Sequence, residues 1–383
     1  MRSRCLLILL TLCCTVPMSA QWMFMKADGD SLVRRGIDAI YNVEFQEAER
    51  CFSQVRALYP EHPAGYFMDA MVDWWRITLD RRRFHVDEQF KAKVDKVIAV
   101  CDKLLENEPR NVTALFFKGG ALGFRGRYYA TRGEFLDAAN TGKEALDILT
   151  ECQKIAPGNH DIMLGTGIYN YFAAVLPEEY PLLKPVMMFL PSGDRKIGLL
   201  QLKAAGNKAQ YAAVEAKVVL ITALYTYEKN VREAYVYAKE LATKYPNNPS
   251  FQRSLGRCLV QLGPLDTMEA LWRQVLLRYM DKWVGYDELA AREALYYIGV
   301  SRMISGDLDL ALKYFYKCDE ACRLVDEDPS GFMVKLNLKI GQIYDLQGKR
   351  QYAVKQYAKV VSWKDYGGTQ AEAESYLQKP YTR

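Results

Sequence analysis

A 34-residue spacing of small, small, aromatic and turn residues constrains this chain more than any other feature. Counting from Gly29, the eighth place is Gly36, the twentieth Ala48, the twenty-fourth Phe52 and the thirty-second Pro60. Counting from Arg292, the same places hold Gly299, Ala311 and Phe315; from Val334 they hold Gly341, Ala353 and Tyr357. A period of this length marks helix–turn–helix units, none of which buries its apolar face alone, stacked into a solenoid. Such a solenoid offers a binding surface rather than a catalytic constellation.

Turn residues fall where the spacing requires them. Tyr59-Pro60-Glu61-His62-Pro63, Asn107-Glu108-Pro109, Ala156-Pro157-Gly158-Asn159 and Tyr245-Pro246-Asn247-Asn248-Pro249 each close one helix and open the next. Pro60 to Pro109 is 49 residues and Pro109 to Pro157 is 48, so those units carry helices longer by about two turns each. Between the turns the apolar period is helical, as in Val94, Val97, Ile98, Cys101, Leu104 and Leu105. Thr131 with Glu134 reads as a capping box for the helix carrying Ala145, Leu149 and Cys152. Eight helix pairs are expected, starting near 29, 63, 112, 160, 215, 249, 292 and 334, with the fourth interrupted.

Over roughly residues 29–367 these positions resemble the tetratricopeptide-repeat family, with Ala70 and Thr222 in place of glycine and Val97 in place of alanine. The resemblance implies an all-α, right-handed superhelical solenoid of about eight hairpins. Residues 1–20 read as a signal peptide, 21–28 as a linker, 176–193 as an insertion, and 368–383 as a capping helix and tail. Leu-Pro followed by an apolar piece and Ser192-Gly193-Asp194-Arg195, within 176–202, also resembles a segment of eukaryotic tetratricopeptide proteins related to the yeast inclusion-body-clearance factor.

Charge and cysteines bound the setting. Arg2 and Arg4 precede the apolar stretch Leu6–Val16, and Pro17-Met18-Ser19-Ala20 supplies a cleavage region, the pattern of an exported protein. Leu12 is bulky where a lipid-anchor signal wants a small residue, which counts against lipidation. Without Arg2 and Arg4, 49 bases face 46 acids, about +3, with no long basic run. That near-neutrality excludes nucleic acid as a partner class. Of six remaining cysteines, Cys51, Cys101, Cys152 and Cys318 fall at apolar helix places and read as small buried hydrophobes, while Cys318 and Cys322 stand one turn apart. Histidines number three, no zinc spacing exists, and neither a metal nor a cofactor is expected.

The segment Leu176 to Arg195 breaks the period. Four prolines in fifteen residues interrupt the helix, yet the segment is strongly apolar, so it is expected to lie against something, with Asp194 capping the helix that follows. The resemblance places the first helix of each pair on the concave face. That lining then comprises Ala64, Phe67, Met71, Trp74 and Trp75, then Phe116, Gly120, Gly123 and Phe124, then Leu164, Ile168, Tyr171 and Phe172. So apolar a groove invites two accounts. Leu183, Met187, Phe189 and their neighbours fill it, or they act as a lid over a bound apolar peptide, with Arg195 at the edge. Further along, the lining turns polar and basic at Arg253, Arg257, Gln261, Lys335, Gln342 and Asp345, suited to an acidic tail or to water. Arg125, Arg127 and Arg132 lie among aromatics and are expected to meet carboxylates on a neighbouring helix or partner.

No nucleophile elbow, phosphate loop or HExxH motif is present. Asp69 with Asp73, and Glu178 with Glu179, supply the carboxylate pairs a glycan-cleaving helical toroid would need. A salt link from Asp73 to Arg76 accounts for the helix acids equally well. The reading is a protein- or peptide-binding scaffold of the cell envelope, not an enzyme, with outer-membrane assembly association open. The alternative is a secreted glycan-binding or glycan-cleaving protein.

Overall fold

The computed structural model describes residues 25–82, 84–188 and 190–382. Among these every regular element is helical. Eight hairpins follow in order. They are α1 (Ala27–Tyr41) with α2 (Phe45–Leu58), α3 (Pro63–Leu79) with α4 (Asp87–Asn107), and α5 (Val112–Arg132) with α6 (Phe135–Ile155). The fourth joins α7 (Ile162–Glu179) to α9 (Arg195–Lys208) across a short 3-10 turn, Pro181–Leu183, and α8 (Lys184–Met187). In the fifth, α10 (Ala213–Thr222) runs on into a π-helical turn, Ala223–Tyr227, before α11 (Val231–Lys244). Then come α12 (Pro249–Leu262) with α13 (Leu265–Met280), α14 (Glu288–Ile304) with α15 (Leu308–Val325), and α16 (Gly331–Leu346) with α17 (Arg350–Val361). A last helix, α18 (Thr369–Gln378), closes the stack.

Where the repeat residues are present, they form the joint of the hairpin. A Cβ placed on Gly36 would lie 2.4 Å from the Phe52 ring, on Gly299 2.8 Å from Phe315, and on Gly341 2.5 Å from Tyr357. Glycine is therefore required where the first helix meets the aromatic of the second. Ala48, Ala311 and Ala353 are fully buried beside these joints. Gly256 against Trp272, 2.7 Å, is a fourth instance with tryptophan as the aromatic.

Apart from α8 of the insertion, which meets α6, the alternate helices that touch are α1 with α3, α3 with α5, α5 with α7, α7 with α10, α12 with α14, α14 with α16, and α16 with α18. The first helices of the hairpins consequently form the inner layer, and the second helices the outer one. Two local expectations differ. Thr131 donates to the Tyr128 carbonyl at 2.7 Å inside α5, and Glu134 precedes α6 without a side-chain cap, so no capping box forms. The helix α7 also runs through Pro177 to Glu179, because a proline in the last turn removes only one hydrogen bond near an end already short of partners.

The solenoid closes on itself over its first six hairpins. Asp161 at the start of α7 accepts from the backbone N–H groups of Tyr211 and Ala212, both 2.8 Å, and of Gln210, 3.1 Å. That staple presents the Tyr211 hydroxyl to Asp30 of α1. Tyr245 donates to Asp38 at 2.6 Å, and the Asn248 amide donates to the Tyr41 carbonyl at 2.8 Å. Tyr41 packs its ring on Trp75, Tyr245 and Phe251, with centroids 5.2, 5.5 and 6.3 Å away. One continuous apolar core runs from Met25 to Cys258 as a result.

Candidate functional site

The aromatic wall read from the sequence exists, but it is core. Trp74 and Trp75 are 3 % and 2 % exposed, and Phe67, Met71, Phe124 and Tyr171 are buried as well. Phe124 meets Trp74 and Phe67 edge-on at 5.5 and 5.9 Å, while Trp75 turns away to Phe251 at 5.5 Å. The expectation that these six residues line an open groove, or one covered by the insertion, is therefore corrected. Phe67 packs on Phe117 and Phe124 of the next hairpin, Tyr171 on Gly198 of α9 and on Tyr227, and Trp75 on Phe251 of α12. Arg127 lies over the rings of Trp74 and Phe124, 4.7 and 4.9 Å from their centroids, and donates to Glu215 of α10 at 2.7 Å. Glu215 is itself buried. Tyr41 is held well above the ordinary phenol range by burial, with the Glu215 carboxylate adding to it.

The insertion does not lie across that wall. Leu182 is 92 % exposed and Met188 77 %, with Leu183 and Met187 half-buried beside them, so these four point away from the groove or skirt it; Phe189 lies outside the described residues. The end of the segment is pinned by specific contacts. Tyr169 donates to the Pro191 carbonyl at 2.9 Å, and a Cβ on Gly193 would sit 2.3 Å from the Asn170 carbonyl oxygen. Asp194 then caps α9 through the Ile197 N–H at 2.9 Å. Arg195 and Tyr171 meet at Glu228, a residue the sequence reading passed over, at 2.8 and 2.7 Å. Burial works against ionised Glu228, yet the hydrogen bonds from Arg195 and Tyr171 hold it below its ordinary range. Phe172 packs on Tyr171 and Tyr227 at 5.1 and 5.9 Å, apart from Trp74 and Phe124.

The basic residues are mostly matched inside the chain. Arg125 pairs with Asp95, and Arg132 grips Asp87 through two 2.7 Å bonds. In the second half, Arg253 and Arg257 converge on buried Glu293 at 2.7 and 2.5 Å, so neither is a free receptor for an acidic tail. Asp345 accepts from Arg350, Tyr357 and the Tyr381 N–H, which ties down the C-terminal segment. Asp73 lies buried between Arg76 and Lys93, 2.9 and 2.7 Å away, and Asp69 pairs with Arg56 at 3.0 Å. These carboxylates hold hairpins together rather than opposing each other across a cleft. Among the described residues no group of three or more His, Cys, Asp or Glu is placed to hold a metal, and no helix is long and apolar enough to cross a membrane.

An inner strip remains uncovered along hairpins six to eight. Gln261 and Lys335 are exposed there, Tyr297 and Lys339 half-buried, and Gln261 donates at 3.3 Å to the hydroxyl of half-buried Tyr225, which comes from the adjoining fifth hairpin. Lys339 lies between α16 and α18 without an ion pair among the described residues. Burial lowers its pKa; Glu372 of α18 partly opposes this, and Lys335 adds to it.

The glycine–aromatic joint of hairpins one, six, seven and eight, together with the inner and outer helix layers along the whole stack, decides the architecture. This chain is a tetratricopeptide-like solenoid. No protein-family model matches it, and no curated protein does. Among solved structures the fold is similar to PilW, a widely conserved type IV pilus biogenesis factor, at 16 % identity over 68 % of this chain and 96 % of that one, TM-score 0.42. It is similar to a Rap protein complexed with competence and sporulation factor at 13 % identity, covering 91 % and 94 % of the two chains, TM-score 0.44. It is similar too to the human IFIT1 dimer with PPP-AAAA at 13 % identity, covering 93 % and 85 %, TM-score 0.40. Likeness at this level carries nothing about what the present solenoid binds.

Proposed function

We propose that the chain is a non-catalytic, protein-binding scaffold of the cell envelope, and that its partner lies along the inner strip of hairpins six to eight. The observation that carries the reading is Lys339. A half-buried cation with no ion pair among the described residues, one turn from Lys335, is a costly arrangement that a carboxylate from outside would relieve. Tyr225 and Tyr297 beside the arginine pair on Glu293 supply amphipathic contact area for an extended segment carrying that carboxylate. The envelope setting rests on the basic start, short apolar stretch and small-residue end of residues 1–20.

The test is crosslinking and capture from the native envelope with the wild type and with Lys335→Glu/Lys339→Glu. The scaffold reading expects one protein partner whose recovery falls at least tenfold in the double variant while the melting temperature holds. Recovery of glycan alone would support the alternative reading. Unchanged recovery by the double variant would remove the partner from this strip.

A further inference from the structure

The turn of the fifth hairpin carries one residue more than its counterparts. In hairpins one, three, seven and eight a left-handed residue, Val43, Gly133, Gly306 or Gly348, ends the first helix. The next residue then returns its N–H five places back: Glu44 to Ala39 at 2.8 Å, Glu134 to Tyr129 at 3.0 Å, Asp307 to Arg302 at 2.9 Å and Lys349 to Tyr344 at 2.8 Å. In the fifth hairpin Lys229 is the left-handed residue, with φ 53°, and Asn230 reaches six places back, to Leu224 at 2.8 Å. The π-helical turn Ala223–Tyr227 stores the extra residue, closed by the Glu228 N–H on the Ala223 carbonyl at 3.0 Å. The other four turns close without one. A single residue redirects a helical side chain by about 100°, at 3.6 residues per turn, so the extra residue decides where Tyr225, Tyr227 and Glu228 face.

They face two sites. Toward the inner strip, the Tyr225 hydroxyl accepts from Gln261 of α12 at 3.3 Å. Burial, then Glu293 and Tyr225, raise the Tyr297 phenol, which places Tyr225 beside α14 as well. Toward the insertion, Tyr227 packs on Phe172 and Tyr171, with centroids 5.9 and 6.3 Å away. Burial first, then Tyr180 of the insertion, pushes the Tyr227 phenol up to about 12. Glu228 accepts from Arg195 at 2.8 Å and from Tyr171 at 2.7 Å. Arg195 opens the helix after the insertion and also reaches Glu178, 3.6 Å away, at its other end. Tyr225 and Glu228 thus hang three residues apart on one turn, each held by a different site.

We propose that this π turn is a two-state element through which the insertion governs the inner strip. While Arg195 and Tyr171 hold Glu228, the extra residue stays in the turn and Tyr225 faces Gln261. When Arg195 lets go, the turn relaxes to α-helix, the far commoner geometry, and passes the extra residue to the loop at Lys229. Tyr225 then leaves the strip as Tyr227 leaves Phe172. Anything that engages Glu178 or Arg195 at the insertion consequently changes the aromatic area the strip presents, a coupling of two sites through one element that both bias. Its consequence for binding rests on the strip being the partner site; the movement of Tyr225 does not.

p-Azidophenylalanine at position 225 carries a photoreactive group to where the tyrosine hydroxyl sits, and mass spectrometry maps what it joins. Illumination of the otherwise wild-type chain should join it to α12 around Gln261. Arg195→Gln should lower that crosslink by at least about fivefold, the low end of ordinary coupling, with the helical spectrum unchanged. Deleting Thr226, an exposed residue of the turn, should lower it as far with Glu228 still on Arg195, and both changes together should lose no more than either alone. The same group at position 344, whose hydroxyl meets that of Tyr316 at 2.6 Å, should join α15 equally in every variant. An undiminished α12 crosslink in Arg195→Gln or in the deletion would overturn the proposal. An equal fall at position 344 would also overturn it, by revealing general loosening. Should Arg195→Gln not fold, Glu228→Gln weakens the same bond from its other end and carries the same expectation. No partner enters the measurement, so its failure leaves the strip reading standing, and indifference of capture to Lys335→Glu/Lys339→Glu leaves the coupling standing.

Discussion

The first five hairpins and the last three share the same antiparallel pairing of helices in two layers, yet their inner faces have opposite fates. In the first region the inner helices carry Phe67, Met71, Trp74, Trp75 and Phe124, and in the second Arg253, Arg257, Gln261, Lys335 and Lys339. A solenoid can tolerate a hydrated inner face if that face is polar; an aromatic one costs too much to leave wet. The first region accordingly tightens until hairpin one reaches hairpins five and six, and Arg127 above the wall is met by Glu215 of α10. The second region needs no such cover and stays open. The repeat thus sets how helices pair, while the polarity of a few inner positions sets how far the stack curls.

The largest expected effect tests the closed side of this contrast. Trp74→Ala should destabilise by about 3–5 kcal/mol, the range for removing a buried large side chain. Gln261→Ala, at an exposed inner position of the open region, should stay within about 0.5 kcal/mol. Urea unfolding followed by tryptophan fluorescence reads both. Equal costs would mean that the first region is not sealed by its own chain.

Acid should strike the junction of the sixth and seventh hairpins. Glu269 is buried, which raises its pKa, but hydrogen bonds from Ser301, Arg302 and Arg273 bring it below its ordinary range. Glu293 behaves alike, with burial outweighed by Arg253 and Arg257. Both carboxylates bind protons less tightly folded than unfolded. Their contribution is therefore complete above the unfolded glutamate pKa of about 4.3 and is lost as pH falls through the lower folded values. Trp272, stacked on Tyr297 at 4.9 Å and one turn from Glu269, should report this loss. Glu293→Gln, which leaves two guanidiniums converging on a neutral group, should lose stability already at pH 7 and flatten the acid limb. An unaltered limb in Glu293→Gln would assign the acid sensitivity elsewhere.

How much of this was legible follows from which contacts repeat. Gly36 with Phe52, Gly299 with Phe315 and Gly341 with Tyr357 recur at one spacing, so helix type and layer order could be read directly, while the departures at Ala70, Val97 and Thr222 left the exact repeat count open. Closure rests on contacts made once, such as Tyr245 with Asp38 and Arg127 with Glu215, 207 and 88 residues apart. Nothing local distinguishes such a tyrosine or glutamate from a solvated one. The insertion misled for a related reason. Leu182 and Met188 are apolar whether they fill a groove or face a partner, and hydrophobicity alone does not say which side of the surface receives them. Arg253 and Arg257 read correctly as inner basic residues, but Glu293, which neutralises them, sits on the next hairpin and looked like an ordinary helix acid.

The smallest expected change sharpens the open side. Burial, set against Glu372 and joined by Lys335, lowers the Lys339 pKa, so the folded chain holds that proton less tightly than the unfolded chain does. Ionised Lys339 then subtracts from stability at neutral pH, and the penalty is relieved as pH rises through the lowered folded value toward the unfolded lysine value of about 10.4. Lys339→Met keeps the aliphatic stem and removes the charge. It should leave stability unchanged or raise it by less than about 1 kcal/mol at pH 7, because the group is only half-buried and solvent screens the repulsion. It should also abolish whatever stability gain the wild type shows from this lysine as pH rises toward the unfolded value of about 10.4. Melting curves of the pair across that range measure both quantities. A residue kept at a cost to the fold, and whose loss weakens capture of a partner, is held for binding. If Lys339→Met instead destabilised the chain, the ammonium would be serving the hairpin itself, and the open strip would lose the feature that most distinguishes it from a merely hydrated face.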